Sequence, residues 1–393
     1  MTVADEAVAE SALYIETLTL TSFRNHAHLR LAPGPRPVVL YGPNGAGKTN
    51  ILEAVSLLAP GQGLRRAAYA DVARQGGTGE WAVAARVVTP DRTLDIGTGQ
   101  QPSAGGGTAE RSGRIVRIDG ETQAGSGVLA DHVEMLWLTP TSDGLFTGPA
   151  GDRRRFLDRL ILTLDAGYRL VANHFERAMR SRNRLLEDGV RDPARFVGLE
   201  RIMAEAGVAI AAARSGTVAA LAATIAERRA REPESLFPWA DITIEGEIER
   251  DLAAMPAIDV EDVYLARLAQ GRERDRAAGR TLNGPHLADL AVAHGPKQMP
   301  ARLCSTGEQK ALLVGLVLAH AELIARRRGG IAPILLLDEI AAHLDAARRA
   351  ALFAEILHLG AQAWMTGTDR EPFSALEGTA HFVAVADGAA TVS

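Results

Sequence analysis

Tyr41-Gly42-Pro43-Asn44-Gly45-Ala46-Gly47-Lys48-Thr49 is the stretch that decides the fold. It matches the G-x-x-x-x-G-K-[ST] pattern of a loop whose backbone N–H groups cradle phosphates. Residues 37–41 before it are apolar like a buried strand, and residues 50–58 after it have apolar side chains at helical spacing. The loop is therefore predicted at a strand-to-helix turn, where a helix N-terminus attracts an anion. There Lys48 reaches the outer phosphates of a nucleotide and Thr49 ligates magnesium.

Lysine is rare in this chain, and its placement supports that interpretation. Of the 43 Lys plus Arg residues only three are lysines, Lys48, Lys297 and Lys310. Arginine bias alone predicts Arg in the loop. A lysine there indicates a compact point charge, which fits a tight phosphate loop where a planar guanidinium does not.

The composition favours a large α/β core in a reducing compartment. The length of 393 residues allows two or three domains, and 47% hydrophobic with 5% aromatic residues predicts a core of small aliphatic side chains. The single cysteine, Cys304, excludes an intrachain disulfide and a cysteine-rich metal site. Because the net charge is -5, any DNA contact has to come from local basic patches.

No membrane segment is expected. Residues 1–10 are acidic and lack the apolar region of a secretory signal. The longest apolar segment, 311–325, is too short to span a bilayer. We therefore expect a soluble, cytoplasmic protein.

The chain changes from strand-like to helix-like patterns and back, which predicts a discontinuous domain. Residues 14–31 alternate as a hairpin, and later strand patterns surround a Gly/Ser/Gln-rich loop at 97–113. From residue 151 an apolar stripe at helical spacing begins a helix-rich region. We predict one domain made of residues 1–150 and 281–393, with a helix-rich lobe, 151–280, inserted into it.

Two stretches in the C-terminal third add chemistry to the P-loop. Residues 303–310 lead into an apolar helix, so the loop at Ser305 either caps that helix or presents a second anion-binding helix start. Residues 334–337 form an apolar strand pattern that ends in Asp338 and Glu339. Such a strand end brings a magnesium-binding carboxylate and a general base beside the γ-phosphate of ATP.

Several arginines are candidate binding residues. Arg24 and Asn25 lie in the predicted hairpin turn, which either stays at the surface or returns toward the nucleotide. The helical cluster further on is either a solvated face or a DNA-backbone contact surface. The candidates for DNA contact are Arg65 and Arg66 after the P-loop helix, and Arg177, Arg180, Arg182 and Arg184 in the cluster.

With these motifs in this order, the chain resembles the ABC-type ATPase heads and, more closely, the RecF family of bacterial DNA replication and recombinational repair proteins, relatives of the SMC heads. The match covers almost the whole chain, and its specific parts are residues 146–158 and the Gly284-Pro285-His286 turn. The resemblance implies an α/β fold, an ABC-type P-loop ATPase head with a mixed sheet and an inserted helix-rich lobe. One departure is Leu287-Ala288, where the family commonly carries an Arg-Asp pair.

The resemblance also implies roles for individual residues. Asp338 and Thr49 bind Mg²⁺, Lys48 and Glu339 serve catalysis, and Asp345 communicates across a dimer. The Ser305 loop of one subunit covers the nucleotide held by Lys48 of the other. The implied ATP-binding residues are Gly42, Pro43, Asn44, Gly45, Ala46, Gly47, Lys48, Thr49, Arg24, Asn25, Ser305, Gly307, Glu308 and Asp345.

The function implied by this resemblance is that of a weak, DNA-stimulated ATPase. ATP joins two heads into a homodimer that clamps gapped DNA or single-strand/double-strand junctions, and slow hydrolysis releases it. With RecO and RecR it promotes RecA loading. The alternative is the ATPase subunit of a membrane transporter, which has a much shorter stretch between its P-loop and its Ser-x-Gly loop. A P-loop kinase leaves the Ser305 loop unexplained, and a purely structural tether lacks the expected long coiled coil.

Overall fold

The computed structural model describes residues 12–100, 113–342 and 344–392. The chain folds into two compact units: Met1–Asp143 with Thr306–Ser393, and Gly144–Ser305. The first unit is therefore discontinuous in sequence. The predicted boundaries of the inserted lobe were too narrow. The second unit also includes residues 144–150 and 281–305, which the sequence analysis assigned to the discontinuous domain. One reason is that residues 289–294 pair there as a strand with residues 240–245.

The strands and helices come in runs along the chain. The strands are β1 (Tyr14–Phe23), β2 (His26–Leu31), β3 (Val38–Tyr41), β4 (Trp81–Val88), β5 (Thr93–Gln100), β6 (Ile115–Ile118), β7 (Glu121–Thr122), β8 (Met135–Leu138), β9 (Ala240–Glu245), β10 (Asp289–His294), β11 (Met299–Pro300), β12 (Ile334–Leu337), β13 (Ala363–Gly367), β14 (His381–Ala386) and β15 (Ala389–Val392). The α-helices are α1 (Lys48–Ser56), α2 (Tyr69–Val72), α3 (Ala150–Leu162), α4 (Tyr168–Glu187), α5 (Ala194–Arg231), α6 (Glu247–Leu252), α7 (Ala257–Gln270), α8 (Arg272–Ala278), α9 (Thr306–Arg327) and α10 (Ala346–Leu359).

The first unit contains two six-stranded sheets. One is antiparallel, in the order β2-β1-β4-β5-β6-β7. Strand β4 alternates buried and exposed residues, as expected for a sheet with one face on the core. The other sheet has the order β15-β14-β3-β13-β12-β8 and is parallel from β14 to β8. All four residues of β12 are buried, which is typical of a parallel strand covered on both faces.

The parallel sheet positions the P-loop. Strand β3 leads into the loop, and β12 lies two strands away, with β13 between them. Since parallel strands end at the same edge of a sheet, the residues after β3, β12 and β13 meet there. This edge is where ligands bind in open α/β sheets.

The second unit consists of helices α3 to α8 and a small antiparallel sheet in the order β11-β10-β9. Among the described residues, α5 is long and apolar enough to cross a membrane, and half of the qualifying window is buried within the structure. A helix in the core of a soluble protein meets the same criterion. Segment 311–325, which the sequence analysis named as the longest apolar segment, lies in α9 and is mostly buried.

Two local predictions need correction or fall outside the described residues. Gly97–Gln100, which the sequence placed in a loop predicted at 97–113, instead continue β5 and pair with β4. The rest of that loop, residues 101–112, and the acidic N-terminal stretch lie outside the part of the chain that the structure describes.

Candidate nucleotide-binding site

The loop between β3 and α1 has the glycine-dependent backbone that its sequence predicts. Gly42 has φ +147° and Gly47 has φ +111°, a region that L side chains rarely adopt. A Cβ on Gly42 would lie 2.1 Å from the carbonyl oxygen of Val385 in β14. The loop therefore packs so closely on the neighbouring strand that only glycine fits at this position.

Lys48 begins α1 and turns back onto the loop. Its Nζ donates to the carbonyl oxygens of Gly42 at 2.6 Å and Pro43 at 2.9 Å. Burial lowers the pKa of the ammonium, while the carboxylates of Glu339 and Asp338 act in the opposite direction. The ammonium group is thus held against the loop that the sequence pattern assigns to phosphate binding.

Two threonine side chains from different elements converge on the carboxylate of Asp338, and one of them also holds the residue after it. Thr49 Oγ1 in α1 and Thr366 Oγ1 in β13 both donate to Asp338 Oδ1, at 2.9 and 2.8 Å. The backbone N–H of Glu339 donates to Thr366 Oγ1 at 2.8 Å. Thr366 therefore fixes both acidic residues at the strand end, and sequence analysis gave it no role.

Glu339 lies outside the strand, in a turn. Its φ is +51°, and its side chain is exposed while Asp338 is buried. Because the turn follows the end of β12, the two neighbouring acids are not held to the alternation of a strand. Lys310, on α9, approaches it with Nζ 3.5 Å from the Glu339 carbonyl oxygen and 3.7 Å from a carboxylate oxygen of Asp143. Lys310 was missed as a site residue, although its rarity was a signal.

The β1–β2 turn reaches the P-loop through Asn25. Asn25 Nδ2 donates to the carbonyl oxygen of Ala46 at 2.9 Å, and Asn50 Nδ2 donates to Asn25 Oδ1 at 2.7 Å. Of the two interpretations of this turn, the structure supports the return toward the nucleotide loop. His26 contributes as well, because its buried ring nitrogens lie 2.7 Å from Gly388 O and 3.2 Å from Gly47 O. His26 was not predicted.

Arg24 serves a different purpose from Asn25. Its guanidinium makes two hydrogen bonds, of 2.8 and 2.6 Å, to the carboxylate of the buried Glu53 in α1. Arg65 donates to Asn50 Oδ1 at 2.7 Å and to Glu53 at 3.2 Å. Both arginines thus brace the P-loop helix. Arg66 is exposed beside them, and contact of Arg65 or Arg66 with DNA stays a prediction.

The residues predicted for the second half of the site lie at helix starts. Ser305 is exposed and immediately precedes α9, whose first turn holds the partly exposed Gly307 and Glu308. Asp345 is the N-cap of α10, where its Oδ1 accepts from the N–H of Arg348 at 2.8 Å. Their roles toward a nucleotide or a second subunit stay predictions.

One predicted DNA contact is wrong. Arg182 has no exposed surface; its guanidinium bonds Glu200 at 3.0 Å and Asp275 at 2.7 Å, both of which are also buried. It also donates to Thr281 Oγ1 and Leu268 O. Arg182 therefore holds the core of the second unit together. Its three neighbours in the predicted cluster, Arg177, Arg180 and Arg184, are exposed.

Comparison with known proteins agrees with this arrangement. The model of the RecF/RecN/SMC N terminal domain family matches residues 14–389. A "DNA replication and repair protein RecF" from Mesorhizobium japonicum is 56% identical over 95% of this chain and 97% of its own length. The chain belongs to the RecF family. A protein of the same description from Brucella suis is 53% identical, over 96% of each chain.

Solved RecF structures have the same fold. The recombination mediator protein RecF-ATP of the RecFOR pathway superposes with a TM-score of 0.81 at 20% identity, covering 97% of this chain and 98% of that one. An SMC head bound to the winged-helix domain of ScpA gives 0.54 at 16% identity over 97% of each chain. The expected family and the ABC-type head fold are confirmed. The transporter alternative is not favoured, because the RecF relatives match the chain almost end to end.

Proposed function

We propose that this chain is an ATP-switched DNA-binding protein of replication and recombinational repair, and that its first unit binds and hydrolyses ATP. The observation that carries the proposal is the hydrogen bond from Thr49 to Asp338, which joins the P-loop helix to the acidic strand end. Support comes from relatives described as DNA replication and repair proteins and from the RecF-ATP structure of the same fold.

The residues at this edge fit a magnesium ion. The Thr49 hydroxyl and the Asp338 carboxylate are hard oxygen donors whose oxygens lie 2.9 Å apart, and Mg²⁺ prefers such ligands together with substrate phosphates. When bound, Mg²⁺ neutralises charge that develops on the β- and γ-phosphates.

The protein residues then divide the work of hydrolysis. The loop N–H groups and Lys48 hold the phosphates, while the exposed Glu339 carboxylate orients the attacking water and takes its proton. Thr366 keeps the backbone of Glu339 and the Asp338 carboxylate in register. No covalent enzyme intermediate is required, since positioning and charge stabilisation suffice for phosphoryl transfer.

The switch requires two copies. We propose that the Ser305, Gly307 and Glu308 loop of one subunit covers the nucleotide bound by Lys48 of another, so that ATP holds a homodimer on gapped or junction DNA. Asp345 communicates across this dimer. The organisation is an ATPase head carrying a helix-rich arm, and hydrolysis is slow and DNA-stimulated. The protein works in the cytoplasm with RecO and RecR to promote RecA loading.

Light scattering tests the switch directly. We expect a monomer without nucleotide, a dimer with ATP, and a longer-lived dimer for Glu339→Gln with ATP. Lys48→Ala is the control and stays monomeric because its loop lacks the phosphate-binding cation. A monomer under all these conditions rejects the dimer switch. Gapped duplex added at low salt tests the DNA part, and an absence of binding there rejects it separately.

A further inference from the structure

The second unit contains a cavity of about 270 Å³ that the proposed ATP site does not use. The first turns of α3, the middle of α4 and α5, and the Pro285-His286 turn surround it. Its charged lining consists of Arg154, Arg155, Asp158, Glu176, Arg180 and Arg214. Four guanidinium groups thus face two carboxylates, which leaves a formal excess of two positive charges.

One of the two carboxylates is fully engaged. Asp158 accepts from Arg214 through both oxygens, at 2.9 and 3.0 Å, and from the Tyr168 hydroxyl at 2.6 Å. Arg214 also donates to the Pro285 carbonyl oxygen at 2.5 Å. Arg214 is buried and Asp158 is partly exposed. The pair has the bidentate geometry of a strong charge-assisted bond, so Asp158 compensates Arg214. Its effect on Arg154 is limited to a through-space attraction that follows Arg214 and Asp289 in size.

Arg154 makes no ion pair with a carboxylate in the part of the chain that the structure describes. Its Nη1 donates to a neutral carbonyl group, that of Ala288, at 2.6 Å. Burial lowers the pKa of its guanidinium and the positive charge of Arg214 lowers it further, while the carboxylates of Asp289 and Asp158 oppose the shift in part. Like charges repel, and arginine does not lose its proton near neutral pH. An anion beside Arg154 offsets this repulsion.

Arg180 lies at the rim of the cavity, where its guanidinium group can contact a ligand. It is exposed and makes no hydrogen bond or ion pair to the described residues, and Glu176, one turn earlier on α4, makes none either. Arg155 on α3 bonds the partly exposed Asp152 instead of a residue of the cavity. At the rim it is therefore Arg180 whose side chain can turn toward a ligand without breaking an ion pair.

The remaining walls are apolar or aromatic. Phe175 and His286 face each other with ring centroids 5.9 Å apart, and Ile210 and Met179 complete this side. His286 Nε2 donates to the carbonyl oxygen of Thr281 at 3.0 Å. Burial lowers the pKa of His286 against the opposing hydrogen bond to Thr281, and the charges of Arg154 and Arg214 add to the lowering, which favours the neutral ring. The cavity thus combines a cationic end with a flat, uncharged wall.

We propose that this cavity is a second phosphate site, separate from the P-loop, which binds the phosphate group of a nucleotide against Arg154 and Arg180. The planar guanidinium fork matches phosphate oxygens, and the aromatic wall accepts the sugar or base that follows. The phosphate belongs either to DNA or to a free nucleotide. The DNA source rests on the proposed function, whereas the free nucleotide does not.

The experiment uses the full chain with Lys48→Ala, so that the P-loop contributes little. Calorimetric titration with inorganic phosphate and AMP probes free ligands, and fluorescence anisotropy with gapped duplexes carrying a 5′-phosphate or a 5′-hydroxyl probes DNA. Each is repeated with Arg154→Gln/Arg180→Gln added. Arg201→Gln is the matched control, because Arg201 is exposed on α5 and does not line the cavity. Thermal melting confirms folding, and Arg180→Gln alone replaces the double variant if that variant unfolds.

We expect the cavity variant to weaken at least one probe roughly tenfold or more, as removal of charge-assisted bonds does, while Arg201→Gln changes none. Loss confined to phosphate and AMP identifies a free nucleotide, and loss of DNA binding identifies DNA. Equal binding by cavity variant and control to every probe overturns the proposal, as does no binding of any probe. If DNA fails in all variants while AMP binding depends on the cavity, the DNA function falls and the phosphate site stands.

Discussion

The hydroxyl of Thr49 donates to the carboxylate of Asp338 at 2.9 Å although the two residues are 289 positions apart in the chain. The parallel sheet creates this contact, because β3 and β12 point their carboxyl ends at the same edge. The P-loop helix and the acidic strand end are thereby held together before any ligand arrives. Such preorganisation is what lets a site stabilise developing charge without reorganising during the reaction.

Replacing Thr49 by valine removes this hydroxyl with little change of shape. We expect ATP hydrolysis to fall by about 10²-fold, because loss of a metal ligand removes several kcal/mol of charge stabilisation. Thr49→Ser keeps the hydroxyl and serves as the control. Steady-state phosphate release at increasing Mg²⁺ concentration measures both variants. A Thr49→Val rate equal to the wild-type rate at every Mg²⁺ concentration contradicts the role of Thr49.

Glu339→Gln separates nucleotide binding from hydrolysis. The carboxylate is exposed at the turn, so its loss leaves the hydrogen bond from the Glu339 N–H to Thr366 in place. We expect hydrolysis to drop by roughly 10²–10⁴, the contribution of a general base, with ATP affinity unchanged. Lys48→Ala should instead lose affinity. Equilibrium binding of a fluorescent ATP analogue distinguishes the two, and hydrolysis that survives Glu339→Gln removes this residue from the mechanism.

Arg182 and Arg184 lie on the same helix but should respond in opposite ways. Arg182→Met leaves Glu200 and Asp275 buried without it, and breaking a buried pair costs about 3–5 kcal/mol. This corresponds to a melting temperature lower by about 6–20 °C. Arg184→Met removes an exposed side chain and should change stability by about 0.5 kcal/mol at most.

DNA binding should also distinguish Arg182→Met from Arg184→Met. If Arg184 contacts a phosphate, its loss lowers the salt dependence of binding by about one unit of slope. Folded Arg182→Met should bind with the wild-type slope, because the Arg182 side chain has no exposed surface. A weakened slope for Arg182→Met, with unchanged melting, is the result that contradicts this assignment.

Sequence patterns predicted those parts of the site whose residues are neighbours in the chain. The P-loop and the Asp338–Glu339 pair each sit at a strand end that short-range sequence defines, and the sheet edge then joins them. Arg182 was misassigned because the arginines were considered as a group of charges. The helical spacing of its apolar neighbours indicates that Arg182 is buried. One buried stripe of α4 consists of Phe175, Ala178, Arg182 and Leu186.

Other site residues have no local signature. His26 contacts Gly388, 362 positions away, and only the packing of the hairpin turn against the end of β14 brings them together. The Asp158–Arg214 pair likewise joins two helices of the second unit. A lone histidine or a single helical arginine is common on any surface, so sequence alone gives no reason to select these residues.

Glu249 in α6 gives a pH-dependent prediction of stability. Neither of its carboxylate oxygens has a hydrogen-bond partner within the described residues, and both are buried. Burial raises the pKa of this carboxyl above its ordinary value of 4.5, and the nearby backbone N–H of Glu249 and the charge of Arg214 oppose the shift only in part. The folded chain therefore keeps the proton to higher pH than the unfolded chain does. Stability from this group is fully present below pH 4.5 and is lost as the pH rises through the folded pKa.

Glu249→Gln removes this titration while keeping the size of the side chain. We expect wild type and variant to melt at similar temperatures near pH 4.5, and the variant to melt progressively higher than wild type as the pH rises to 8, because only wild type then has to bury a charge. Glu247→Gln, at an exposed position of the same helix, is the control and should follow the wild-type curve. Melting curves measured between pH 4.5 and 8 decide the point. A difference between Glu249→Gln and wild type that does not grow with pH shows that Glu249 is ionised equally in the folded and unfolded chains.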